Sequence, residues 1–541
     1  MKKLLCIMLG AMLLAPTAFA QFRLSESGLK LEQTLQLIEN LYVDSANTNK
    51  LAETAIRSML SELDPHSVYM NAEEVRAMNE PLEGNFDGIG IAFNMMTDTL
   101  YVMEVISGGP SEKVGIRPGD KFILVNDTLI SGVKMGNTDV IKKLRGPKGT
   151  TVNVKAIRRG VPGMLEFNIV RDKIPIYSID AAYMADENTG YIRLSRFGAT
   201  SYNEFTEARD RLKKQGMKDL ILDLTGNGGG ILQIAGEIVD EFLKRDQMMV
   251  YTEGLHQPRF PMKATAKGGL ENGNVVVLVD EGSASASEIV AGALQDWDRA
   301  VIVGRRTFGK GLVQKQIPLQ DNTMIRLTVA RYYTPTGRSI QKPYVGGDAD
   351  SYNKDLIDRY NKGEMLNADS IHFPDSLKYT TLINGRTVYG GGGIMPDYFV
   401  PLDTTRIVPY DSTRLLQLPQ ELLFKGVINR VAIHEVDNHR EELLKEYPTV
   451  EAFKTGYRVS PRIEASIRSF ADGDSIKWDE QQYLTAKEYL HPQLKALIAR
   501  DLYDSSAYFR IMNDELDIFK AGMQIINDQN RYEGLLKGDK N

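Results

Sequence analysis

Apolar residues recur at three- and four-residue intervals through Leu31, Leu35, Ile38 and Leu41, and again through Leu51, Ala55, Met59 and Leu63. That period predicts helices across 24–63, closed by the turn Asp64-Pro65-His66-Ser67. The texture then changes. Between 84 and 172, short β-type runs alternate with glycines, at 89–95, 100–106, 121–125, 151–158 and 165–170. From 173 to 345 strands and helices alternate, as in an α/β domain. Strands are expected at 190–194, 219–224, 275–279, 301–304, 312–318 and 323–330, and helices at 202–214, 231–242 and 285–296. The run Val275–Val279 has no polar position, which fits a central strand buried on both faces. Residues 346–380 are polar and acidic and read as a surface excursion, and 405–541 read as mostly helical.

A chain of 541 residues exceeds what a single hydrophobic core supports, so several domains are expected. The net charge of −6 argues against nucleic acid as a partner, because phosphate binding needs a basic surface. The first twenty residues stand apart. Lys2 and Lys3 precede a short apolar stretch at 4–14, and Ala18-Phe19-Ala20 forms a cleavage site. This predicts an exported, periplasmic protein starting at Gln21. The apolar stretch falls short of the roughly 20 residues that a membrane span requires. Cys6 is the only cysteine and leaves with the leader, so neither a disulfide nor a thiol nucleophile is expected. No later run approaches a membrane span, so the processed chain is expected to be soluble.

Common catalytic patterns are missing: there is no H-E-x-x-H, no C-x-x-C and no G-x-S-x-G, and the six histidines are scattered. Gly304 to Lys310 spells G-x-x-x-x-G-K, but Gly311 stands where a phosphate loop needs Ser or Thr, and strand-type residues follow instead of a helix. Three other segments can carry chemistry. In Val275 to Glu288 a buried strand runs through Gly282-Ser283-Ala284-Ser285 into a helix, which can present a hydroxyl and free helix amides at one point. Ser285 with Glu288 equally spells a helix-capping box. Lys310, between Gly309 and Gly311, reads either as a solvated loop lysine or as a base. A free lysine is only about 0.1% neutral at pH 7.4, and a three-unit shift costs roughly 4 kcal/mol. Gln314, four positions on, can accept one of its protons. Finally, Asp223 leads into the cluster Gly226-Asn227-Gly228-Gly229-Gly230, either a permissive turn or bare backbone against which a substrate carbonyl can lie.

In this order the segments resemble the carboxyl-terminal processing proteases, also called tail-specific proteases. The resemblance runs from about Tyr42 to Val400 and includes Leu63-Asp64-Pro65-His66-Ser67, Gly88-Ile89-Gly90-Ile91, Gly119-Asp120 and Asp223 to Gly230. It continues through Gly282 to Ile289, Thr307 to Gly311, Ala330 to Ile340 and Gly390 to Asp397. It implies a multidomain α+β protein with a leader (1–20), N-terminal helices (21–83), a PDZ-like domain (84–172), a crotonase/ClpP-like α/β protease core (173–404) and a helical C-terminal domain (405–541). The family's register, a serine 25 positions before the lysine and a glutamine four after it, selects Ser285, Lys310 and Gln314. Oxyanion donors are then the N–H of Ala286 and one from Gly229 or Gly230. Thr225 and Gly228 depart from the family's usual Arg and Pro, which removes no catalytic group. The PDZ-like region implies recognition of substrate C-terminal tails, with Gly88, Ile89, Gly90 and Ile91 receiving the carboxylate while the peptide adds to a strand edge. No metal or cofactor is expected. The C-terminal helices are open to homo-oligomerisation or an adaptor. Two competing expectations are a non-catalytic PDZ scaffold and a crotonase-like acyl-transfer enzyme, the latter disfavoured by the leader and the PDZ-like insert.

Overall fold

The computed structural model describes residues 25–96, 98–319, 321–403 and 418–539; the leader and its cleavage point lie outside them. Helices α1 (Glu26–Leu41) and α2 (Thr48–Ser61) are capped by Ser25 and Asn47. Strand β1 (Val68–Met70) and helix α3 (Ala72–Glu83) follow. The helical period at 24–63 makes helices, but much of its apolar stripe is left open by the described residues. α1 has no buried residue, and Leu37, Leu41, Met59 and Leu63 are exposed.

A β domain comes next: β2 (Asn85–Gly88), β3 (Ile91–Met96), β4 (Thr99–Val105), α4 (Pro110–Lys113), β5 (Lys121–Val125), β6 (Thr128–Leu129), α5 (Asn137–Leu144), β7 (Thr151–Ile157), β8 (Leu165–Val170) and β9 (Asp172–Pro175). Its antiparallel sheet runs β3-β4-β5-β7-β8, with β6 on β5, over a core that includes Leu100, Phe122, Val152 and Ile169. β2 pairs with β9 and brings the domain's two ends together, while β3, among the described residues, pairs on one side only and leaves an open sheet edge.

The central region contains β10 (Ile179–Met184), β11 (Thr189–Leu194), α6 (Ser201–Lys214), β12 (Asp219–Asp223), α7 (Leu232–Asp240), β13 (Met248–Gly254), β14 (Gln257–Lys263), β15 (Val275–Val279) and α8 (Ala286–Asp296). It continues with β16 (Val301–Gly304), β17 (Leu312–Pro318), β18 (Met324–Tyr333), α9 (Ala349–Asn361), β19 (Lys378–Thr380), β20 (Thr387–Tyr389) and β21 (Tyr398–Phe399). Strands β10-β11-β12-β15-β16-β21 form one sheet, antiparallel only at β10–β11. A second sheet has the order β1-β18-β13-β14, with β17 also on β18. Through β1 the N-terminal block is thus stitched into the core, Val68 opposite Arg326.

The remaining helices are α10 (Leu418–Phe424), α11 (Val427–Glu446), α12 (Val450–Gly456), α13 (Pro461–Gly473), α14 (Glu480–Leu502), α15 (Ser505–Met512), α16 (Asp517–Asn527) and α17 (Gln529–Lys537). α10 to α15 share their own hydrophobic core. The last two do something else. Val275, Val277 and Val279 pack with Phe205, Ile238 and Leu294 of α6, α7 and α8 on one face of the main sheet, whereas Val276 and Leu278 pack with Phe519, Ile525 and Tyr532 of α16 and α17 on the other. This two-sided burial is why β15 is apolar throughout. It also means that a domain boundary at 405 cuts across the packing, since 517–537 complete the central layer. The polar stretch after 346 needs the same correction. It carries α9, whose Tyr352 and Arg359 are buried against the core.

Candidate active site

The buried strand β15 delivers the chain into a tight turn before α8, and Ser285 occupies the last position of that turn at φ 54°, ψ −110°. A non-glycine residue there is strained by roughly 1–3 kcal/mol, and such strain persists only where the surroundings over-determine it. They do. Asp280 accepts from the N–H groups of Gly226 (2.8 Å), Gly282 (3.0 Å) and Ser283 (3.1 Å), which fastens the glycine loop to the serine turn. Asn227 adds further stitches: its side chain donates to Leu194 O (2.7 Å) and accepts from Gly229 N–H (2.9 Å), while its carbonyl accepts from Ala284 N–H (2.9 Å) and Ser287 Oγ (2.8 Å). A Cβ on Gly229 would lie 2.8 Å from Ser285 Cβ and from Ala284 O, so this glycine is required by close approach.

These contacts separate the two candidate oxyanion glycines. The Gly229 N–H is already given to Asn227, so Gly229 is not placed as a donor in this arrangement. Neither Gly230 N–H nor Ala286 N–H meets an acceptor among the described residues.

Lys310 lies on a loop between β16 and β17, and two side chains bolt its backbone to that of Ser285. Glu288, fully buried in the first turn of α8, accepts from Ser285 N–H (2.8 Å), Lys310 N–H (2.9 Å), Gly309 N–H (2.7 Å) and Thr307 Oγ1 (2.6 Å). The Tyr332 hydroxyl on β18 is shared between the carbonyl of Lys310 and that of Ser285 (3.1 Å). The glutamate half of the capping box therefore exists, but it reaches well beyond capping. Burial pushes the Glu288 carboxyl up to about 7, opposed by the hydrogen bonds it accepts. Burial, then the nearby Arg326 charge, lowers the Lys310 amine to about 8, with Glu288 and Asp64 pulling the other way. At pH 7.4 this raises the neutral fraction from about 0.1% to about a fifth. Gln314, at the start of the regular β17–β18 register after a bulge, donates to Thr328 Oγ1 at 3.4 Å.

Sequence reasoning missed a third party. The Asp64–Ser67 turn sits in this site because β1 pairs with β18. Asp64 is buried and accepts from Thr328 Oγ1 (3.0 Å), and His66 Nε2 meets the Tyr352 hydroxyl at 2.9 Å. Burial, then the Lys310 charge, lowers His66 to about 4, so its imidazole is neutral at ordinary pH. The turn is legible as a turn, but nothing in its local spacing says that it lies within the electrostatic reach of a lysine far along the chain. In the β domain, Gly90 (φ 76°) shapes the 88–91 loop. The carbonyls of Ile89 and Gly90 accept from Ser111 (3.0 Å) and Ile106 (3.0 Å), whereas the N–H groups of Ile89 and Gly90 find no acceptor among the described residues. Ile89 itself is a core side chain, so its contribution to the loop is backbone. Ile91 begins the open-edged strand β3. Among the described residues there is no cluster able to hold a metal ion, and no helix is long and apolar enough to cross a membrane.

A strained serine at a strand-to-helix turn, its backbone tied through Glu288 and Tyr332 to that of a lysine with a lowered pKa, stands in a chain that also carries a β domain with an open edge, as a serine-type peptidase with a PDZ domain would. Family models agree: peptidase family S41 matches 188–351, the PDZ domain 88–169 and the activating protease CtpB N-terminal domain 17–74. A family of unknown function matches 419–504. The carboxy-terminal-processing protease of Bartonella bacilliformis is 38% identical over 310 residues, 56% of this chain and 70% of that one. Carboxy-terminal processing protease CtpB of Bacillus subtilis is 35% identical over 318 residues, 58% of this chain and 65% of that one. Among solved structures, the photosystem II D1 C-terminal processing protease aligns at 29% identity over 59% of this chain and 91% of that one, with a TM-score of 0.33. The chain belongs to the carboxy-terminal processing proteases.

Proposed function

We propose that the protein is an exported endopeptidase working through a Ser285–Lys310 dyad and selecting substrates by their C-terminal tails. The Ser285 hydroxyl attacks a peptide carbonyl as its proton passes to the neutral Lys310 amine. The tetrahedral oxyanion is received by the N–H groups of Ala286 and Gly230. Lys310 returns the proton to the departing amine, leaving an ester on Ser285, and water activated by the same amine then releases the acid. Gln314 orients the amine. The loop at 88–91 offers its amides to a terminal carboxylate while the tail extends β3 as an added strand.

The observation that carries this reading is the double bolt of Glu288 and Tyr332, which pair one carboxylate and one hydroxyl with the backbones of both Ser285 and Lys310. A loop lysine with no catalytic duty has no need of a buried carboxylate at its amide. Ser285→Ala and Lys310→Ala are each expected to reduce cleavage of a loosely folded protein with an apolar C-terminus by at least about 10³-fold. Undiminished turnover by either variant refutes the dyad. Removing the substrate's terminal apolar residues is expected to raise KM, and N-terminal sequencing of the protein recovered from an exporting cell should begin at Gln21.

A further inference from the structure

Asp64 accepts four hydrogen bonds: from His66 N–H (2.8 Å), Ser67 N–H (2.9 Å), Ser67 Oγ (2.5 Å) and Thr328 Oγ1 (3.0 Å). Ser67 Oγ in turn accepts from Thr328 N–H (3.0 Å). The turn thus grips Thr328 by both backbone and side chain, and Thr328 lies directly across the β17–β18 ladder from Gln314. The direction of the protons along this chain is fixed by chemistry. A carboxylate can only accept, so Thr328 must spend its single hydroxyl proton on Asp64. Its oxygen is then an acceptor toward Gln314, and Gln314 must present its NH₂ end, as the 3.4 Å contact from Nε2 has it. An amide whose NH₂ end is committed keeps its carbonyl oxygen for another donor, and the dyad reading makes that donor the amine of Lys310.

We propose that Asp64 and Thr328 are positioning residues that set which end of the Gln314 amide faces Lys310. The inference rests on the dyad reading above and deepens it. Without the Asp64 carboxylate, Thr328 can turn its proton toward Gln314, the amide can flip, and an NH₂ group then opposes the lysine amine. Because the turn continues from α2 into β1, the N-terminal helices are also mechanically continuous with this relay, and Ser61 O accepts from Gly347 N–H (3.1 Å) in the loop that leads to α9.

The charges around Lys310 are Arg326, Glu288 and Asp64, with neutral His66 beside them. The test uses the full chain with Thr328→Val, Thr328→Ser and Asp64→Asn. Two readouts are taken: turnover, and the pH dependence of Lys310 acylation by a small amine-reactive reagent, followed by mass spectrometry. Thr328→Val is expected to lower kcat about tenfold with KM unchanged and to move the acylation profile to lower pH, as the amine loses a carbonyl acceptor. Thr328→Ser, which keeps the hydroxyl, restores both. Asp64→Asn moves the profile in the same direction, because a negative charge has also gone. A folded Thr328→Val protein with wild-type kcat and an unmoved profile overturns the proposal, and this variant decides the matter if Asp64→Asn does not fold. Acylation needs no turnover, so a shifted profile combined with an active Lys310→Ala protein would sustain the relay while removing the dyad.

Discussion

Ser285 and Lys310 are held in opposite ways. The serine stands at the junction of a strand and a helix that are both buried, in a backbone conformation clamped by its own turn and the adjacent glycine loop. The lysine sits on a loop with no regular structure, and its backbone is located by side chains from α8 and β18. A nucleophile must be aimed to a fraction of an ångström, which main-chain geometry does well. A base must be neutralised and still reach, and that depends on what surrounds it. The comparison predicts that changes near Ser285 act through geometry, whereas changes near Lys310 act through protonation and orientation.

Gly229→Ala should break the serine side most severely. The added Cβ meets Ser285 Cβ at 2.8 Å on a backbone at φ +99°, so kcat is expected to fall by about 10²–10³-fold, the cost of spoiling an oxyanion site. Near-normal kcat in this variant would show that the serine turn tolerates displacement. Glu288→Ala tests the link between the two sides. It strips four buried donors of their acceptor, so a loss of about 3 kcal/mol or more in stability is expected by chemical denaturation, with activity falling alongside. Glu288→Gln separates the charge from the shape. Its wild-type counterpart has a folded pKa of about 7, above the unfolded 4.5. The folded state therefore binds the extra proton, and stability declines as pH rises from 4.5 through 7. Melting temperatures of Glu288→Gln should lack that decline. Tyr332→Phe removes one shared donor and is expected to cost about 1–2 kcal/mol, with a modest loss of kcat and little change in KM.

The smallest effects concern pH. On the dyad reading Lys310 must be neutral to act, and with a pKa of about 8 kcat/KM should rise with pH along a limb centred near pH 8. His66, at about 4, is uncharged across that range, so His66→Gln should leave the limb in place even if activity drops. A limb that moves with His66 would mean that the lysine is not the group being titrated.

This contrast also explains what could be read from the sequence. The strand at 275–279, the helix that begins at 286 and the glycine cluster are local patterns, and each appears where its residues predict. The choice of Ser285 among three serines rests on a family register rather than on local physics, and the N–H of Gly229, a donor candidate by that register, is spent on Asn227. The surroundings of Lys310 were not legible. Glu288 looked like a cap because a capping box and a buried four-bond acceptor share one local spelling. Asp64 and Thr328 lie 264 positions apart and meet through strand pairing, and no window of neighbouring residues records that. Tyr352 was hidden for a different reason: the polar stretch around it has the composition of a surface, and only the packing shows its ring turned inward. The helices at 517–537 were assigned to a separate region because amphipathic periodicity names a buried face without naming what buries it.

Those last helices impose an order on synthesis. Tyr532 closes over the start of β15, its hydroxyl meeting Val275 N–H at 3.0 Å, one strand upstream of the serine turn. When the ribosome has finished Ser285, Lys310 and Gln314, the outer face of the sheet that aims the serine is still bare, with Val276 and Leu278 awaiting Phe519 and Ile525. The two-sided packing of the sheet that carries the serine turn is therefore complete only once the segment at 517–537 has been made and docked.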